Sequence, residues 1–207
     1  MKKLFIVFSL LISALAQGQS EDFNLSNMNS FAINAQNPWN STTFDNPLGM
    51  NFKIFNEEGS SAIRYRAIFN YGFLSLESSP NSNVNTLDRF TEISISIGKE
   101  TRLNNSGRVQ GYAGYDFGAF SFGEGSKTSA QNDWSGESEF GIFGQGFIGA
   151  EVFLISRLSL SAEIGYGMSY GALRGGSDAV AGYAFDIGND IISPAAGMLM
   201  ITYYFPN

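Results

Sequence analysis

Between Leu158 and Tyr170 the chain alternates without a miss. The even positions are Leu158, Leu160, Ala162, Ile164, Tyr166, Met168 and Tyr170; the odd ones are Ser159, Ser161, Glu163, Gly165, Gly167 and Ser169. Side chains alternate across a β-strand, so one face is apolar and the other small, polar or charged. The run is longer than the usual strand of about 5–6 residues and suits the ~9–11 tilted residues that cross a bilayer. A very short turn at Ser156-Arg157 joins it to a second such run, so Phe140 to Tyr170 reads as one long hairpin.

The same alternation recurs along the chain. Leu48–Phe55 sets Met50, Phe52 and Ile54 against Asn51 and Lys53, and Ile63–Phe73 sets Tyr65, Ala67, Phe69 and Tyr71 against Arg64, Arg66 and Asn70. Glu92–Glu100 and Arg108–Phe122 follow, and Ile191–Phe205 reads as the last strand. A first strand falls within Glu21–Ala35, where the apolar phase slips between Leu25 and Phe31 in the manner of a bulge. That predicts eight strands. Connections at about 57–60, 103–107 and 156–157 are short; those at about 36–46, 74–89, 123–138 and 172–189 are long and polar. An even number of antiparallel strands, with tight turns at one end and long loops at the other, is the pattern of an outer-membrane barrel. The predicted fold class is therefore all-β: an eight-stranded antiparallel up-and-down transmembrane β-barrel after a cleaved signal peptide.

The start of the chain supports a secreted route. MKKLFIVFSLLISALAQGQS has Lys2 and Lys3, an apolar core from Leu4 to Leu15, and Ala14-Leu15-Ala16 as a cleavage signal. The core is too short to span a bilayer. Residues 1–19 are predicted as signal peptide and 20–207 as the barrel domain, in the outer membrane of a Gram-negative-type envelope with both termini periplasmic. Composition then excludes several functions. There is no Cys, hence no disulfide or thiolate chemistry, and no His, the commonest general base and metal ligand. A net charge of −7 without a basic cluster argues against nucleic-acid binding.

A secreted soluble barrel of the lipocalin kind would also alternate. The two differ in which face points inward. An eight-stranded barrel has an interior just wide enough for its own side chains. The Gly/Ser/Glu face fits that space and the bulky face suits lipid, whereas soluble strands rarely carry so few Lys, Glu and Thr outside. With the bulky face outward, Arg64, Arg66, Glu92, Glu100, Arg108, Asp116, Glu151 and Glu163 point into the bore. Two readings stand: a narrow passive channel or proton path, or an ion-pair network that fills and closes the barrel. Narrowness and the need to pair buried charge favour closure. Six inward acids, counting Glu139, face three Arg and Lys53, so some acids are expected at the ends, wet, or protonated.

The carrying stretches GYAGYDFG (111–118), GFIGAEVFLISRLSLSAEIGYG (146–167) and LMITYYF (199–205) resemble the small OmpA/OmpX-type outer-membrane β-barrel proteins, over about residues 21–205. The resemblance implies a porin-like barrel domain assembled by the barrel-assembly machinery. Pro206-Asn207 after Phe205 departs from the usual terminal signal. It also implies a structural role or a surface contact made by the external loops with an extracellular ligand, with outer-membrane lipid as the standing partner and a monomeric state. Small barrel enzymes use a His beside a Ser or Asp, which this chain lacks, so no catalytic residue, metal or cofactor is predicted.

Three other features read as ordinary loop chemistry. Gly123–Thr128 echoes a phosphate loop, but its spacing is wrong and no helix follows. Asp186, Asn189 and Asp190 lack the EF-hand spacing. Trp39 and Trp134 fall in predicted loops.

Overall fold

The computed structural model describes residues 25–36, 48–76, 86–104, 107–128, 135–174, 181–188 and 198–206. These form nine strand segments: β1 (Met28–Gln36), β2 (Leu48–Phe55), β3 (Ser61–Leu76), β4 (Thr86–Arg102), β5 (Val109–Thr128), β6 (Ser135–Ile155), β7 (Leu158–Arg174), β8 (Ala181–Gly188) and β9 (Met198–Pro206). From β1 to β8 each segment pairs antiparallel with the next in chain order, and β9 closes the ring by pairing with β1 and β7.

The nine segments make eight staves. The turn-side part of β7 pairs with β9, from Leu158↔Tyr203 to Glu163↔Met198. Its loop-side part pairs with β8, from Gly167↔Gly188 to Arg174↔Ala181. The last stave is thus split in two, where the alternation predicts one strand from Ile191. The Ala172–Asn189 stretch, expected as loop, contains the end of β7 and all of β8. A closed ring leaves no edge of unpaired N–H and C=O facing hydrocarbon, which is why strands can span a membrane only this way.

The tight connections all lie at one end. Gly59 (φ 68°) and Gly107 (φ 83°) supply the left-handed backbone that the β2–β3 and β4–β5 turns require. The other end differs from expectation. β3 runs on to Leu76, β4 starts at Thr86, β5 reaches Thr128 and β6 starts at Ser135, so much of the predicted polar loop is ladder. Outside the apolar belt neither face need be greasy, so Gly, Ser and Thr continue the hydrogen-bonded register without an alternation to betray it. Gly123–Thr128 is accordingly the end of β5. At 16 to 21 residues, β3–β7 outrun the ~9–11 needed to cross a bilayer and project beyond it on the loop side. Trp39, Trp134, Asn189 and Asp190 lie outside the described residues; Asp186 is on β8.

Polarity is inverted relative to a water-soluble domain. On β7, Ile164 is 59% exposed and Tyr166 61%, while Glu163 between Ala162 and Ile164 is 4% exposed. Exposed Ile, Phe, Tyr and Met side chains cover β1–β7 and β9, and Arg, Glu, Lys and Asn fill the inside. On the loop side the outward face turns polar at Arg89, Ser121 and Ser138. This is the surface of a wall facing hydrocarbon.

The inner lining is less simple than a small-residue face. Phe120, Phe143, Phe147, Phe153, Tyr112 and Tyr204 are also buried inside. On β5 and β6 they are set opposite glycines: Tyr112↔Gly149, Gly114↔Phe147, Gly118↔Phe143 and Phe120↔Gly141. Each ring lies over the bare backbone of its partner. A Cβ on Gly149 would sit 2.3 Å from the Tyr112 ring, and one on Gly118 2.6 Å from the Phe143 ring. Gly118→Val, by overpacking this joint, is expected to cost about 1–3 kcal/mol. It should lower the urea midpoint of the barrel refolded in vesicles, since the new side chain also meets the Ile95 carbonyl oxygen at 2.2 Å; a wild-type midpoint would show that the joint is not tightly fitted.

Candidate functional site in the barrel bore

The register brings eight charged side chains together. Lys53 comes from β2, Arg64 and Arg66 from β3, Glu100 and Arg102 from β4, Asp116 from β5, Glu151 from β6 and Glu163 from β7. Four cations face four carboxylates, and all eight are buried. Arg64 is the hub. Its Nη1 and Nη2 donate to the two oxygens of Glu163 at 2.9 and 3.1 Å, a bidentate pair. Its Nε lies 3.2 Å from Asp116 Oδ1 and its Nη1 3.5 Å from Glu100 Oε2. Arg66 reaches Glu163 at 2.5 Å and Asp116 at 3.5 Å. Lys53 Nζ is 2.7 Å from Glu100 Oε2.

Arg102 extends the chain of charges toward the turn side. It lies 3.0 Å from Glu100 and 2.5 Å from Glu151. Tyr204 OH accepts from Arg102 Nη2 at 3.2 Å and donates to Glu151 Oε1 at 2.6 Å, and Ser159 Oγ donates to the same oxygen. Aromatic faces cover the cations: Arg64 lies 3.8 Å over the Phe147 ring, Lys53 4.9 Å over Tyr112, and Arg102 5.2 Å over both Phe55 and Tyr112.

The sequence-derived residues divide as follows. Arg64, Arg66, Glu100, Asp116, Glu151 and Glu163 meet in this network. Glu92 is buried but stands toward the loop side, accepting from Asn70 Nδ2 at 3.5 Å. Arg108 precedes β5 and is half-buried, with its Nε shielded from solvent; its carbonyl accepts from Phe153 N at 2.8 Å, and among the described ion pairs it has no part in this network. Arg102, Tyr204 and Gln145, which donates to Asp116 at 3.1 Å, were not singled out. Arg102 shares the parity of Glu92 and Glu100, so extending that strand by two residues would have found it. With it, the four network carboxylates face four cations, while the other two inward acids, Glu92 and Glu139, stand apart toward the loop side.

Beside β1 the bore is polar but uncharged. Ser30, Asn34, Asn51, Ser161 and Thr202 are buried there. The turn-side mouth is stoppered by Leu25, Phe55, Ala62, Phe153 and Tyr204, with Phe153 and Tyr204 ring centroids 5.3 Å apart. Leu25 precedes β1, and its phase slip against Phe31 has a cause other than a bulge. Asn27 adopts φ 53° and Met28 N donates to Leu25 O at 3.2 Å, so the chain turns and drops Leu25 into the mouth. Ser26 Oγ donates to Glu57 O, and a Cβ on Gly59 would lie 2.8 Å from Leu25 C and Ser26 N, so this segment is clamped on the β2–β3 turn.

Chemically, the arrangement saturates each network carboxylate with cations and hydroxyls and stacks rings above and below. It spans six staves and occupies the bore. Among the described residues no cluster of three or more carboxylates is placed to hold a metal ion.

An inward-charged, outward-apolar, closed ring of eight staves is a transmembrane β-barrel. No protein-family model matches the chain, and no curated protein matches it. Among solved structures it is similar to Ail, the attachment invasion locus protein of Yersinia pestis, at 14% identity and TM-score 0.43, covering 86% of this chain and 95% of that one. It is also similar to CarO2 of Acinetobacter baumannii (9%, TM-score 0.38, 86% and 98% covered) and CarO of Acinetobacter baumannii (9%, 0.35, 88% and 98%). At such identities and scores these likenesses carry no functional weight; the barrel rests on its own ladders.

Two outcomes follow. Arg64→Met strands Glu163 and Asp116, and removing one partner of a buried pair costs about 3–5 kcal/mol. Adding Glu163→Leu should restore part of that loss, read as the urea midpoint in vesicles; strict additivity of the two changes would deny the coupling. The chain is free of Cys, so Ser159→Cys gives a single thiol in the bore. It should resist a charged thiol reagent in the folded barrel and react once Leu25→Asp is added, whereas equal reactivity would mean that Leu25 seals nothing.

Proposed function

We propose that this chain is an integral outer-membrane protein with a non-conducting barrel, which holds a surface-contact platform at the cell exterior. The observation that carries this reading is the filled bore: ion pairs join six staves, and buried rings stand at the turn-side mouth and again at Phe120 and Phe143 toward the loop side. A bore occupied in this way leaves the projecting ends of β3–β7, and the loops between them, as the surface for recognition. In this reading residues 1–19 are removed on export, the turns face the periplasm, the barrel-assembly machinery inserts the chain, and the barrel works as a monomer. The inverted polarity speaks against a soluble ligand-carrying barrel, because the exposed apolar wall would face water.

Conductance separates this reading from the passive channel. Protein whose gel migration shifts on heating, and which fractionates with outer membranes, is expected to give a closed trace in planar bilayers. Stable unitary steps from that same material would establish a channel and overturn the proposal.

A further inference from the structure

The outer wall carries a cation at the turn-side edge of its apolar belt, one step from the Ser61, Thr101 and Ala113 row. Lys99 is exposed on the outward face of β4, flanked by Ile63 on β3 and Tyr115 on β5. One step toward the loops, Ile97 stands between Tyr65 and Phe117; one step further, Ile95 stands between Ala67 and Ala119. The two alanines are short where their neighbours are long. The result is an outward groove of about 640 Å³ lined by Tyr65, Ala67, Ile95, Ile97, Phe117 and Ala119 among others. That volume falls within the ~300–1,000 Å³ usual for small-ligand sites.

Resting on the reading that this wall faces lipid, we propose that the groove and Lys99 form a phospholipid site, with acyl chain in the groove and the phosphate on the Lys99 ammonium. Charge complementarity chooses the occupant. A hydrocarbon trough alone would accept any apolar chain, but the Lys99 ammonium is on the same strand face two residues turnward of Ile97, which lines it. Lysine binds phosphate as a compact point charge with three donors. Beside it, Tyr115 has the amphipathic ring that favours the headgroup level. A neutral lipid fills the trough and leaves Lys99 without an anion; a second barrel would bring another apolar wall and no anion.

Native mass spectrometry of the folded barrel tests this, with phosphatidylglycerol and a diacylglycerol of the same chains offered in equal amounts. The wild-type barrel should retain one phosphatidylglycerol in about tenfold preference, the scale of one charge-assisted contact. Lys99→Gln should bring the two lipids to parity, and Ala67→Phe with Ala119→Phe should reduce retention of both. Because Lys99→Gln changes a single exposed side chain, it decides the matter even if the double variant does not fold. Equal retention by the wild-type barrel, or a preference that survives Lys99→Gln, overturns the site. So does a barrel dimer that the double variant abolishes. A wild-type chain that shows no heat-dependent shift sinks the barrel reading beneath it; a shifting barrel without lipid preference sinks only this site.

Discussion

Arg64 sits where neither water nor lipid can neutralise it, and much of the bore is arranged around that fact. A buried guanidinium is tolerable only with anions and acceptors on its own nitrogens. Glu163, Asp116 and Glu100 supply them from three other strands. Because those strands are far apart in sequence, the pairing can form only when the ring closes with the correct stagger. A slip of one residue would turn every inward charge toward hydrocarbon. The ion pairs therefore select the register more than they add stability, since the desolvation of such groups cancels much of their attraction.

The rings and glycines address a different constraint, volume. An eight-stranded bore is narrow, and Arg64 and Arg102 with their carboxylates take up much of it. Phe147 and Tyr112 still fit because Gly114 and Gly149 opposite them remove side chain where the rings lie flat. The same rings then cover the faces of the cations. Glycine thus acts here through what it leaves out, and only in part through turn geometry at Gly59 and Gly107.

The legible parts of the chain were those where one face meets lipid. Leu158–Tyr170 disclosed its sides and its membrane role, because hydrocarbon outside and charge inside impose opposite demands on neighbouring residues. Phe143, Phe147 and Phe153 share the parity of Glu151 and are buried, where bulk suggested an outward position. What stayed hidden had no such contrast. The ends of β5 and β6 lie beyond the belt, so Gly123–Thr128 looked like loop. Arg102 lay beyond the predicted strand end at Glu100, where the alternation stops being apolar. Leu25 matched a strand alternation but serves as a stopper, a placement set by a turn at Asn27 that leaves no periodic trace.

The same contrast limits where function can vary. Inside the belt an outward change meets hydrocarbon and an inward change meets a paired charge or a fitted ring, so few substitutions are neutral. Beyond it, the ends of β3–β7 keep their backbone ladders whatever side chains they carry. A barrel built in this way can exchange the chemistry of its projecting ends without disturbing Arg64 or its partners. The ion-pair core and the projecting strand ends are therefore separable in energy as well as in space.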